Sequence, residues 1–411
     1  MALLWATGFE LQSTTVGMEW RTTTSGAPAI ETSIVHGGAA ALRINGVAAS
    51  DAIGHIVASA QGVRFYRTYF YLVAGSTGDN FTWTQVANSA NAKVSFRFRS
   101  AVNGNDLQFY NAEDSAAIGA SFTDINTGEW YRLEWTINST TLSATTVEAR
   151  LYAASDESTL LWNPSGTIDI TADPNRWTIG ENASDLTFDI IVDDVVCYDN
   201  SESYANTWAG EGKLFIMRPD GASAAAWTRG GTDSGANWSQ CNNTPPDDVG
   251  SYVESNTDNQ VDEYTLTATP AGMASDDVVN WIAPGARFAL SSTASTDPDF
   301  AVGIKIGSDF DITGNLSGAG STSYTSWQTT LGNIPALANN SNYEKPNSAS
   351  GYTKSDLDSA IVRIEETVTD ASLVRVSDVW VYVEHKPAGA PAAVIPPKIV
   401  LMNQALERAN L

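Results

Sequence analysis

Two segments constrain the fold of this 411-residue chain more than any others: Phe188-Asp-Ile-Ile-Val-Asp-Asp-Val-Val-Cys-Tyr198 and Leu373-Val-Arg-Val-Ser-Asp-Val-Trp-Val-Tyr-Val-Glu384. Their β-branched and aromatic residues suit strands and little else. Each nevertheless carries carboxylates in mid-run, where an unpaired charge would be costly to bury. Such an acid must face water, pair with a partner or hold a cation. Each segment is followed by a polar or proline-marked break, so the two divide the chain into two β-rich stretches.

The same strand signal recurs between them. Val94, Phe96 and Phe98 alternate with Ser95, Arg97 and Arg99, and Tyr131, Leu133, Trp135 and Ile137 alternate with Arg132, Glu134 and Thr136, the period of a half-buried strand. The run Val63-Arg-Phe-Tyr-Arg-Thr-Tyr-Phe-Tyr-Leu-Val73 has aromatics in both registers. It fits a strand covered on both faces or one exposed at a binding surface. Helix signals reduce to Lys354–Ala360, with Thr353 as its cap. The expected fold class is therefore all-β: two tandem antiparallel, jelly-roll-like β-sandwich domains, residues 1–205 and 206–387, followed by an extended C-terminal tail over 388–411. The tail begins with the Ala, Pro and Gly composition of a linker. Beyond it Ile399, Met402 and Leu406 recur at near-helical spacing, either as an anchor for a partner or as a frayed end.

The formal charge is −25, from 47 acidic and 22 basic residues. That field repels phosphate backbones and argues against a nucleic-acid partner. Neutral glycans, cations and basic protein surfaces fit better. Cys197 and Cys241 make neither a disulfide framework nor a zinc site. The first residues lead straight into a strand, without a basic n-region or an apolar run long enough for a signal peptide or membrane span, so neither export nor a membrane partner is expected.

Catalytic motifs do not emerge from the residues. Glu129 and Glu134 are the nearest approach to a glucanase carboxylate pair, and their spacing puts them on opposite faces of a strand. His36, His55 and His385 belong to no His-Glu-x-x-His motif and read as surface or satisfied histidines. No nucleophile elbow or phosphate-binding glycine loop is present. The expectation is a protein that is not an enzyme. A glycan face would need flat exposed rings, for which Tyr66, Tyr69, Tyr71, Trp83, Phe109 and Tyr110 are candidates, with Trp162 and Trp177 in loops; the same rings serve equally as core.

Ala6-Thr-Gly-Phe-Glu10, Trp130-Tyr-Arg-Leu-Glu-Trp135 and Val192-Asp-Asp-Val-Val-Cys-Tyr198, in that order, resemble the laminin-G and concanavalin-A-like jelly rolls. That superfamily contains lectins, glucanases and carbohydrate-binding modules. The resemblance implies a structural calcium ion between the Phe-Glu segment and the final-strand acids, with Glu10, Asp193 and Asp194 at the matching positions. The alternative is that the two aspartates occupy a strand bulge and accept backbone hydrogen bonds. No other cofactor is called for.

In the second half, Trp227-Thr-Arg-Gly-Gly, Asn237-Trp-Ser-Gln, Pro245-Pro-Asp-Asp-Val-Gly-Ser and Ser377-Asp-Val-Trp-Val381 are ordered as in modules of tailed-bacteriophage structural proteins, which they resemble. This implies a non-enzymatic virion protein of decoration or fibre type, assembled in the host cytoplasm and displayed on capsid or tail. Its partners would be other virion proteins, host surface glycans and copies of itself, as a homo-oligomer, with a trimer expected by analogy. A free lectin-like carbohydrate-binding protein is the alternative reading. A polysaccharide depolymerase ranks behind both.

Overall fold

The computed structural model describes residues 3–388 apart from 16, 21, 26–27, 46–51, 57–61, 76–80, 89–90, 100–104, 124, 181–187, 202, 205, 293–298, 318–321, 327–336 and 370–371. The expected anchor residues Ile399, Met402 and Leu406 lie outside the described residues. Antiparallel strands build four sheets, as the all-β reading requires. Strands up to Asp199 form a seven-stranded and a nine-stranded sheet, and strands from Lys213 form two six-stranded sheets. Lys354–Asp358 is a single helical turn closed by a Thr353–Asp356 capping box.

Three apolar layers separate the four sheets. Trp5, Trp83, Trp135 and Trp177 fill the first sandwich, and Phe288, Phe300, Val379 and Val381 fill the second. A third cluster lies between the sandwiches, where Leu3, Phe65 and Tyr198 meet Trp281, Trp380 and Tyr382. Strand alternation explains how one segment serves two layers. Along Val374–Lys386, Val379, Val381 and Val383 enter their own sandwich, while Trp380 and Tyr382 face the nine-stranded sheet. Along Val63–Ala74, Tyr66 and Phe70 point into the first core and Phe65 points the other way. The order is seven-stranded, nine-stranded, six-stranded, six-stranded, and the two middle sheets are covered on both sides. That is why their strands are apolar in both registers.

The two acidic strands occupy these middle sheets, and they meet. Tyr198 Oη donates to Glu384 Oε2 (2.8 Å) and accepts from Trp281 Nε1 (2.9 Å). Arg67 forms an ion pair with Glu384, and both side chains are fully buried. Glu19 bridges the sandwiches in the same way: Thr7 Oγ1 (2.8 Å) and Leu11 N (3.1 Å) donate to it from one side, and the Tyr382 hydroxyl donates from the other. Burial pushes the Glu19 pKa up to about 7. Asp378 accepts from Arg218 Nη1 at 2.9 and 2.8 Å, and burial raises it to about 7 even so. These acids are thus paired within the layers rather than facing water.

Candidate functional site

Asp193 and Asp194 sit where the strand Asp189–Asp199 changes its edge partner. Asp189–Val192 pair with Ala41–Asn45, and Val195–Tyr198 pair with Leu3–Thr7. The ladder to Val63–Ala74 also slips between Asp193 and Val196, and Asp194 takes a positive φ of 48°, which Asp tolerates better than most residues. The gap is closed by residues 36–40. His36 N (2.8 Å) and Gly37 N (3.1 Å) donate to Asp193 Oδ2, while Asp194 N donates to Asp193 Oδ1 (2.7 Å). Ala39 N donates to both Glu10 oxygens, at 2.9 and 3.1 Å. Asp194 takes His36 Nδ1 at 2.6 Å and Leu214 N, from the first strand of the second sandwich, also at 2.6 Å.

The structure therefore brings Glu10, Asp193 and Asp194 together, and every carboxylate oxygen of the three accepts from a donor of the chain itself. Burial, reinforced by the neighbouring carboxylates, holds Glu10 and Asp193 well above the ordinary carboxylate range. Among the described residues no group of three or more His, Cys, Asp or Glu is placed to hold a metal ion. The oxygens point at N–H groups instead of converging on a shared point, so this arrangement does not fit a calcium site. It is a carboxylate clamp on the 36–40 loop, the bulge alternative extended to three acids.

The ring candidates separate by burial. Tyr66, Trp83 and Phe109 lie in the first core, and Tyr69 is buried beneath His36, with ring centroids 3.7 Å apart. These four are corrected to structural roles, because a buried ring cannot meet a ligand. Trp177 is likewise core, and Trp162 is half-buried with its Nε1 on Ala120 O (2.8 Å). Tyr71 and Tyr110 remain half-exposed, but Tyr71 is on the nine-stranded sheet and Tyr110 on the seven-stranded sheet. They cannot form one platform.

The seven-stranded sheet presents an outer face that no other sheet covers. Its strand Asn91–Arg99 sends Val94, Phe96 and Phe98 into the core and turns Lys93, Ser95, Arg97 and Arg99 outward. The neighbouring Asp106–Asn111 turns Asp106, Gln108 and Tyr110 to the same side, with Arg97 opposite Gln108 and Ser95 opposite Tyr110. Gln85 and Thr178 continue the row across the next strands. Arg97 lies 3.5 Å over the Tyr110 ring, and its Nε donates to Thr82 Oγ1 (3.1 Å). Ser95 and Asp106 form a buried floor between half-exposed Gln85, Arg97, Arg99 and Tyr110. Ser95 Oγ and Asp106 Oδ1 are sealed from solvent and have no hydrogen-bond partner among the described residues, a condition they share with other buried atoms such as Trp20 Nε1 and Trp380 Nε1. Of this constellation only Tyr110 is singled out by ring content. The others are readable from the polar register of the alternation that marks the strands.

No family model matches the chain, and no curated protein matches it. Solved structures do align with it. A glucuronan lyase of the fungus Trichoderma reesei aligns at 11% identity over 44% of this chain and 92% of its own, with a TM-score of 0.34. An alginate lyase of Aplysia kurodai aligns at 11% identity over 48% and 99%, with a TM-score of 0.37. Peanut lectin aligns at 8% identity over 44% and 94%, with a TM-score of 0.27. The expectation that the chain is not an enzyme is corrected here: polysaccharide lyases are among the structures that align, and missing sequence motifs by themselves exclude no activity. Nothing in these comparisons points to a virion origin.

Proposed function

We propose that the protein binds a saccharide on the outer face of the seven-stranded sheet. One observation carries this reading: the half-exposed Tyr110 ring, with the Arg97 guanidinium 3.5 Å over one side of it, lies on the same outer face as the half-exposed Gln85 amide. Sugar hydroxyls are donors and acceptors at once and would pair with that amide and with the edge of the guanidinium. A flat ring beside them offers its face to the C–H side of a pyranose. Titration of the full chain against a panel of oligosaccharides tests the proposal. Binding should be lost in Tyr110→Ala and Gln85→Ala with folding intact, whereas equal binding by both variants would remove the face from consideration.

A further inference from the structure

Building on that reading of the face, we propose that the saccharide it takes is an anionic, carboxylate-bearing chain such as a polyuronate. With 47 acidic residues against 22 basic ones, an arginine without an acid beside it is the exception. Arg43, Arg64, Arg67, Arg132, Arg218 and Arg287 each hold a carboxylate. The outer six-stranded sheet, at the opposite end of the stack, follows the rule: Lys305 and Arg363 both bind Glu263, and Arg363 also binds Glu365.

The seven-stranded face departs from it. Among the described residues Arg97 has the Thr82 hydroxyl and the Tyr110 ring, and no carboxylate. Arg99 stands opposite Asp106 in the ladder, but the two form no ion pair among the described residues. Lys93 is different, being held at the sheet's end by Glu113. Arg97 and Arg99 leave the same strand on the same side, about 7 Å apart along it. Each offers a planar fork that matches a carboxylate with two parallel hydrogen bonds. The chain's overall negative field does not forbid such a ligand. At physiological salt, exposed charges are screened over about 8 Å, less than the roughly 10 Å between stacked sheets, so the far layers contribute little here.

The test titrates the full chain by calorimetry with three uronate chains (polygalacturonate, polyglucuronate and polymannuronate), with neutral dextran and with dextran sulfate. The expected result is binding of at least one uronate, weakened roughly 10- to 100-fold by Arg97→Gln and by Arg99→Gln with melting temperatures unchanged. Dextran bound as tightly as any uronate, with both arginine variants unaffected, would overturn the anionic assignment. If that binding still failed in Gln85→Ala, the saccharide face itself would survive. Preference for dextran sulfate would overturn the carboxylate assignment. Failure to bind any saccharide would sink both readings.

Discussion

Replacing Glu384 by Gln examines the junction between the sandwiches most directly. Glu384 and Arg67 are fully buried, and the rest of the Arg67 guanidinium is spent on carbonyls, Asp194 O at 3.3 Å and Gly210 O at 3.2 Å. Glutamine preserves the shape and still accepts from Tyr198 Oη, so the principal loss is the negative charge. Arg67 then stays positive in a dry layer. Removing one partner of such a pair costs about 3–5 kcal/mol, most of it the stranded charge. Replacing both, as Arg67→Met with Glu384→Leu, removes both desolvation penalties. What remains is the lost acceptor for Tyr198 Oη and the lost donors to Asp194 O and Gly210 O, about 1–3 kcal/mol for each buried group left unpaired. Urea unfolding followed by tryptophan fluorescence measures the stabilities of the parent protein and of both variants. The reasoning fails if Glu384→Gln costs under about 1 kcal/mol.

Other consequences can be checked with similar means. Because Glu19 has its pKa raised to about 7 from an ordinary 4.5, the folded state holds the proton more tightly, so this group's stabilising contribution is complete below about pH 4.5 and is lost as pH rises through 7. Melting temperatures between pH 4.5 and 8 should fall less steeply in Glu19→Gln, with Asp378, raised in the same way, supplying the residual slope; an unchanged slope refutes the assignment. A chelator should leave the melting temperature where it was, since the oxygens of Glu10, Asp193 and Asp194 are taken by N–H donors; a marked drop would place an ion there after all. Asp194→Ala should cost about 2–4 kcal/mol in chemical denaturation, from the lost Leu214 and His36 hydrogen bonds and the positive φ, while Asp194→Asn should cost clearly less. Equal losses would count against the clamp.

What was legible in the sequence was local. The alternation at Val94–Arg99 gave both the strand and its outward residues, and Thr353 marked the helical turn it caps. The doubly aromatic run at Val63–Val73 left two readings open, and burial on both faces decides between them. The partners of the acidic strands were out of reach because they arrive from far along the chain. Glu19 and Tyr382 are 363 residues apart, and the Asp193–Asp194 bulge exists because Leu3–Thr7 returns to take over as edge partner. Which of Tyr71 and Tyr110 shares a face with Arg97 likewise depends on pairings between distant strands, which no local period encodes.

The four-layer order also fixes how the molecule can present a ligand. Three sheet spacings of about 10 Å put roughly 30 Å between its two outer faces. The described chain leaves the stack just after Val374–Lys386, in the third layer, at the waist and not at an end. Anything fastened through the residues that follow would therefore carry the seven-stranded face about two layers away. With Glu384, Glu19 and Asp194 each bound across the junction, that face would be held at a set angle, like a palm on a locked wrist.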